Sequence, residues 1–483
     1  MPRTRFWLWT VLLGLAAMGC SLTGVLFGPG AALVASQEAT ATPPPPSTQA
    51  ATQAALPPTP TRTQPERAAD AGSPQEATPA PTLTLAPRVQ EQMARIEREV
   101  EEIRGLTASR PVEKVIITPE ELARKVEEDF LADYSPEEAA QDAVELWLFG
   151  LTDRDTDLFE IHKTMLSEGI AGFYDDEEEK MYVVASDGFP PHARMTYAHE
   201  YTHALQDQTW DLDQGLGFND ETCDQDTEYC AGVQALIEGD ATVTEYFWFF
   251  QKATAAERKA IQDYYDNLDM PGWDASPEFM QEDILFPYVY GQDFVLALLR
   301  RDGWDAVNAA YDDPPVSTEQ IMHPERYPED QPVRLTLPDL AALLGSTWEP
   351  ITEQNALGEF WIYLMLAKSD TLAWRLDEDE AKAAAEGWGG DVYATYWEPD
   401  SGAAVLVQRW VWDTPDDARE FTDAFLAYAQ ARFGPGTQDA QGRWMWTQTP
   451  WGVVIFAPQG EQGQAWVIAP DRDLAERLYQ ALP

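Results

Sequence analysis

Apolar residues recur along this chain with two periods, and the change of period divides it. Over residues 89–104 they stand at Met93, Ile96, Val100 and Ile103, which puts one narrow stripe on a charged helix. Thr118-Pro119-Glu120-Glu121 and Ser135-Pro136-Glu137-Glu138 are capping boxes with proline at the first helical position. They predict helices running to about Asp129 and Phe149, the second stopped by Gly150. Residues 169–174 and 181–185 read as strands joined by an acidic turn, a hairpin. That turn, Asp175-Asp176-Glu177-Glu178-Glu179, lacks EF-hand spacing and reads as a solvated loop rather than a calcium site. Helical spacing returns over 194–208, 233–251, 279–301 (in spite of Pro287), 340–344 and 351–368.

From Asp391 the period falls to two. Residues 392–397 and 403–412 alternate as strands, and Thr414-Pro415-Asp416-Asp417 caps a helix to Arg432. Strands follow at 443–446, 451–457 and 465–468, then a last helix over 473–482. The expectation is an α+β chain: a mostly helical domain over 88–385 carrying a small hairpin or sheet, then a small α+β domain over 386–483. Trp410, Trp412, Trp444, Trp446, Trp451 and Trp466 in the latter read as core rather than as a stacking surface for ligand.

The first 87 residues show neither period. Arg3 and Arg5 precede an apolar run over 6–18, and Ala17-Met18-Gly19-Cys20 resembles a bacterial lipobox with Ala where Leu is usual. A second apolar stretch over 22–34 is broken by Gly28-Pro29-Gly30. Residues 1–36 therefore read as a lipoprotein signal with Cys20 lipidated, or as an uncleaved anchor; full cleavage would make the protein secreted. The positive N-terminal side puts the rest of the chain outside the cytoplasm, membrane-anchored through the N-terminus. Residues 37–87 are Pro, Thr, Ala and Gln, a disordered linker that holds the remainder off the membrane.

Charge narrows the partners. A formal net charge of -51 over 483 residues excludes a nucleic-acid footprint and opposes docking of the folded surface on anionic lipid. Of three cysteines, Cys20 is the lipidation candidate, while Cys223 and Cys230 share one polar loop and suit a disulfide in an oxidising compartment. As metal ligands the pair is less attractive, because that loop has no histidine.

Only 5 histidines occur, and two of them form His199-Glu200-Tyr201-Thr202-His203 on a helical stretch. Residues four apart share a helix face, so both imidazoles can point at one ion while Glu200 reaches a water on it. A catalytic zinc needs a third protein ligand and an open position. Glu238, in the small-residue segment Glu238-Gly239-Asp240-Ala241, is an acid costly to bury unless paired or bound to metal. Gly239 and Ala241 would allow close approach to the motif helix.

This motif with its downstream Glu-Gly-Asp-Ala resembles the gluzincin, thermolysin-like branch of the zincin metallopeptidases, over residues 169–327. The resemblance implies one catalytic Zn2+ held by His199, His203 and Glu238, with Glu200 as general base acting on a peptide or protein substrate. The chain departs from the pattern in a longer stretch between His203 and Glu238, and in Thr242 where an Asp is common. That leaves Asp240 and Glu245 as candidate partners of His199. Tyr288, Tyr290 and His323 are candidate donors to an oxyanion; His162 and His192 read as structural or surface residues. Either 172–175 or 181–184 is a candidate edge for pairing with extended substrate. Alternative functions are a non-catalytic zinc-binding lipoprotein or assembly factor, and a zinc hydrolase of a non-peptide bond. Oligomeric state and bond specificity have no sequence signal.

Overall fold

The computed structural model describes residues 86–125, 134–166, 172–184 and 188–483. The signal or anchor segment, Cys20, nearly all of the linker, the predicted continuation of a helix to Asp129, and the start of the first hairpin strand lie outside these residues. Among the described residues no helix is long and apolar enough to cross a membrane.

The chain is mixed α and β, with a seven-stranded sheet in the C-terminal region. Helix α1 (Pro87–Arg104) buries the predicted stripe of Met93, Ile96 and Val100. Strand β1 (Glu113–Ile117) and the capped helix α2 (Pro119–Lys125) follow. Helix α3 (Pro136–Phe149) starts on a complete capping box between Ser135 and Glu138 and stops at Gly150, where φ is 85°. After α4 (Leu158–Leu166) come β2 (Gly172–Asp175) and β3 (Lys180–Val184), the expected hairpin. Three of the five acids of its turn are paired with basic side chains: Lys125 reaches Asp175 and Glu178, Lys180 reaches Glu178, and Arg110 reaches Glu179. The strand not foreseen, β1, pairs parallel with β3, so the sheet order is β1-β3-β2. That pairing covers both edges of β3, so residues 181–184 are closed to substrate, whereas β2 keeps one edge free among the described residues.

The middle of the chain is a helical stack. Helix α5 (Pro191–Trp210) carries the motif; α6 (Asp220–Cys223) and the long α7 (Thr227–Gln251) follow, with Cys223 and Cys230 joined as a disulfide between them. From Gly232 to Phe249 every residue of α7 is buried, which is why it shows no polar face. Then come α8 (Ala255–Tyr265), α9 (Pro271–Ala275) and α10 (Glu278–Asp312), whose last turns are offset by non-helical backbone at Asp302 and Gly303. Gly239 and Gly291 set the crossing of α7 with α10. A Cβ on Gly239 would lie 2.2 Å from the Gly291 carbonyl oxygen, and one on Gly291 would lie 2.1 Å from that of Ala235. Gly239 therefore serves contact with α10, not with the motif helix as its position first suggests.

After the short α11 (Thr318–Met322) and α12 (Leu340–Leu344), the expected helix over 351–368 divides. Its first residues are strand β4 (Glu349–Asn355), which pairs antiparallel with β5 (Trp388–Glu398); only Gly358–Ala367 is helix, α13. Asn355 ends the strand by accepting bonds from the Thr227 hydroxyl and the Ala356 amide, and Gly358 turns the chain at φ 73°. Helix α14 (Glu378–Ala385) leads into β5, β6 (Ala403–Trp412), α15 (Pro415–Phe433), β7 (Thr437–Gln438), β8 (Trp444–Thr449), β9 (Gly452–Pro458), β10 (Gly463–Ala469) and α16 (Arg472–Ala481). The sheet order is β4-β5-β6-β10-β9-β8-β7, so it begins with a strand at Glu349, ahead of residue 386. Both faces are covered. Leu406, Trp466 and Ile468 pack with Phe421 and Phe425 of α15, while Val405, Val407 and Val467 pack with Leu474 and Leu478 of α16. Trp410, Trp412, Trp446, Trp451 and Trp466 are buried, in core use. The last carbonyls of α3 are capped by this unit: Arg432 donates to Trp147 and Leu148, and Tyr428 to Phe149.

Candidate metal centre

Helix α5 enters on Pro191 and presents His199 and His203 one turn apart toward α7. The His199 Nε2 lies 3.1 Å from Glu238 Oε2, and the His203 Nε2 3.5 Å from the same oxygen. His199, His203 and Glu238 each offer a ligand atom, all within 4.8 Å of one another. Ligands about 2.1 Å from one tetrahedral ion stand roughly 3.4 Å apart, so the spacing suits a zinc-sized cation.

Each imidazole is oriented from behind. His199 Nδ1 lies 3.2 Å from Glu245 Oε2, and Glu245 is fully buried. Of the two candidate partners of His199, the structure thus selects Glu245. Asp240 turns away and accepts from Arg104, Gln206 and Tyr311. His203 Nδ1 donates to Gln206 Oε1 at 2.8 Å, while the Gln206 amide nitrogen donates to the Ile237 carbonyl and to Asp240. An amide oxygen only accepts, so His203 carries a proton on Nδ1 and turns Nε2 toward Glu238, where a metal would find it. No motif marks Gln206 in the sequence, though its place three residues after His203, on the same helix face, is a signal.

The donor set asks for a cation. Burial opposes charge on His199, yet Glu238 at Nε2 and Glu245 at Nδ1 raise its pKa well above the ordinary value, so the imidazolium donates to both carboxylates. Glu200, Glu238 and Glu245 are all buried around two imidazoles, so the uncompensated set is anionic. Burial opposes charge on Glu238, yet His203 and His199 hold its pKa down at about 2. Burial raises the carboxyls of Glu200 and Glu245 above their usual range despite the imidazoles. A divalent ion between the three ligand atoms would take the place of the imidazole Nε2 protons and answer the same carboxylate charge.

Glu200 is not one of the converging atoms. Its Oε2 accepts the Tyr174 backbone N–H at 2.9 Å, which sets it against the free edge of β2. Tyr288 stands beside the group: its ring lies 6.2 Å from that of His199, and its hydroxyl faces Glu238. Burial, then Glu238 and Glu200, push the Tyr288 phenol well above its ordinary value, so it stays a donor.

The other candidates lie elsewhere. Tyr290, two residues on, points away among Phe286 and Phe360, with Glu282 and Glu359 as its acidic neighbours. About 200° of helix separates the two tyrosines. His323 Nε2 is engaged by Glu359 at 2.8 Å. Neither Tyr290 nor His323 joins the converging group. His162 is buried edge-on to Tyr134, and His192 stacks on Tyr264. A second acidic group, Glu319, Asp330 and Asp413, already has its cation in Arg326, which reaches all three.

Residues 349–479, the sheet and its two covering helices, match a family described as a domain of unknown function, DUF8575. Neither the curated proteins nor the solved structures contain a match to the chain.

Proposed function

We propose that this chain is an extracytoplasmic, membrane-anchored zinc metallopeptidase, its helical part a zincin-like domain of the gluzincin kind. The observation that carries the reading is the convergence of His199, His203 and Glu238 on one point with Glu200 beside it. A purely structural site has no use for a buried carboxylate next to its ligands. Held by His199, His203 and Glu238, a zinc ion would supply a water of pKa near about 7 and a Lewis acid for a carbonyl oxygen. The chain's own residues do the rest. Glu245 and Gln206 fix the tautomers and ring planes of His199 and His203. Glu200, its pKa raised by burial, takes a proton from water and returns it to the leaving amine. Tyr288 holds a hydroxyl proton for developing oxyanion charge. The free edge of β2, next to Glu200, can add an extended peptide as a further strand.

The test is metal analysis and peptide-library cleavage on the full chain, with and without chelator. Glu200→Gln should keep one zinc per chain and the fold, and lose turnover by roughly 10²–10⁴-fold. Purified protein that holds no zinc, or a Glu200→Gln variant that cleaves as the parent does, would reject the reading.

A further inference from the structure

Between α7, α10 and the C-terminal sheet lies a cavity of about 780 Å³, a size typical of small-ligand pockets. Six acids line it: Asp142, Glu145, Asp224, Glu228, Asp283 and Glu353; among the described residues no Lys or Arg does. The remaining wall is largely apolar and aromatic, with Phe279, Phe286, Phe360 and Trp361. An acidic wall by itself marks nothing, but Gln234 adds an independent sign. Its side chain lines the cavity, is only 7% exposed, and has no hydrogen-bond partner among the described residues. Its amide keeps contact with the cavity's solvent, so it is a hydrogen-bonding group turned into the cavity and available to a ligand there. Pro287, also in the wall, has no N–H to give the Asp283 carbonyl one turn back. Acceptors thus dominate the lining.

We propose that this cavity binds an organic cation, an alkylammonium or guanidinium group. Carboxylates answer its charge, and aromatic faces attract the cation and pack against its carbon skeleton, which a hydrated metal ion would not use. Burial raises the Asp283 carboxyl to about 7, and Glu228 well above the carboxylate range, so an entering cation draws the proton off such an acid and pairs with the carboxylate left behind. The group could belong to a lysine or arginine of a peptide, or to a free polyamine; Gln234 stands one turn before Glu238, so the cavity begins a turn from the metal centre. The proposal does not depend on that centre.

The experiment is calorimetric titration of the chelator-treated full chain with N-acetyl-lysine methylamide, spermidine, the neutral N-acetyl-norleucine methylamide, and calcium. One or both amines should bind, and the neutral isostere should not. Lysine amide alone points to a peptide side chain, spermidine alone to a free amine, and either supports the site. Asp283→Asn, which removes a buried acid and should fold, is expected to weaken binding roughly tenfold. Ala231→Phe, which fills the cavity from α7, should abolish it. Equal binding of the isostere, binding of calcium alone, no binding of either amine, or unchanged affinity in both variants would overturn the proposal. Absence of zinc from the untreated protein would leave it standing.

Discussion

Asp240 ties the fold to the metal centre, and Asp240→Asn tests the tie. Its Oδ1 meets the Arg104 Nε at 2.7 Å, both side chains being fully buried. The Arg104 guanidinium lies over Trp304 at 4.5 Å and Trp210 at 5.6 Å, and its two terminal nitrogens have no hydrogen-bond partner among the described residues. The aromatic faces supply some stabilisation, but among the described residues no second carboxylate pairs with it. Removing the Asp240 charge strands a buried cation, which costs about 3–5 kcal/mol. Over the ~400 residues of folded chain, at about 2.1 cal/mol/K of unfolding entropy each, that is a fall in Tm of roughly 4–6 °C. The double variant Arg104→Met/Asp240→Leu removes both charges and should recover most of the loss, since apolar replacement of a buried pair is near neutral. Calorimetry of the parent, Arg104→Met, Asp240→Leu and the double variant gives the coupling directly. An Asp240→Asn protein that melts with the parent, or losses that simply add in the double variant, would refute the reasoning.

Three further outcomes rest on contacts of the same kind. Glu245→Gln keeps the shape behind His199 but removes the acceptor charge, and zinc affinity should drop roughly 10–100-fold in a chelator competition, with the fold retained. Gly239→Ala drives a methyl to 2.2 Å from the Gly291 carbonyl; forcing α7 from α10 should cost about 1–3 kcal/mol in urea unfolding and reduce turnover by displacing Tyr288 from Glu238. Burial lowers His162 from 6.5 to about 4, so below pH 6.5 the unfolded chain binds a proton that the folded chain refuses. Stability should therefore fall as pH drops from 6.5 to 4, by about 3 kcal/mol in all, with no contribution above 6.5. His162→Gln should flatten that part of the wild-type urea-midpoint curve, and an unchanged slope would exclude His162 as its source.

What is legible in the sequence is what a helix period can carry. The spacing of His199 and His203, the oddity of Glu238 among small apolar residues, and the two capping boxes are local facts, and each has its counterpart in the structure. Strand β4 reads as helix because Ile351 fits either period, and what makes it a strand is its partner β5, more than thirty residues on. Strand β1, as long as β3, has no turn joining it to a neighbouring strand in sequence and exists by pairing parallel with β3 across more than sixty residues. Tyr288 and Tyr290 are equal candidates in the sequence, and what separates them is their place around the helix. With one face of α10 pointing at α7 through Gly291, Tyr288 three residues earlier lies near that face and Tyr290 one residue earlier does not.

The same angular reasoning settles the two acids of α7, and it explains why both are needed. Glu245 follows Glu238 by seven residues, two turns, and so looks at the same imidazole from one side of the helix. Asp240 follows by two residues, about 200° round, and cannot reach His199. It reaches Gln206 instead, and through Gln206 it governs His203. One helix thus orients both histidines of another, through a direct carboxylate for the first and a relayed one for the second. The relay also draws in Arg104 from α1 and Tyr311 from the end of α10. The geometry of His203 is therefore set by three elements that lie far apart in the chain, which is why neither Gln206 nor Arg104 carries any weight until the helices are brought together.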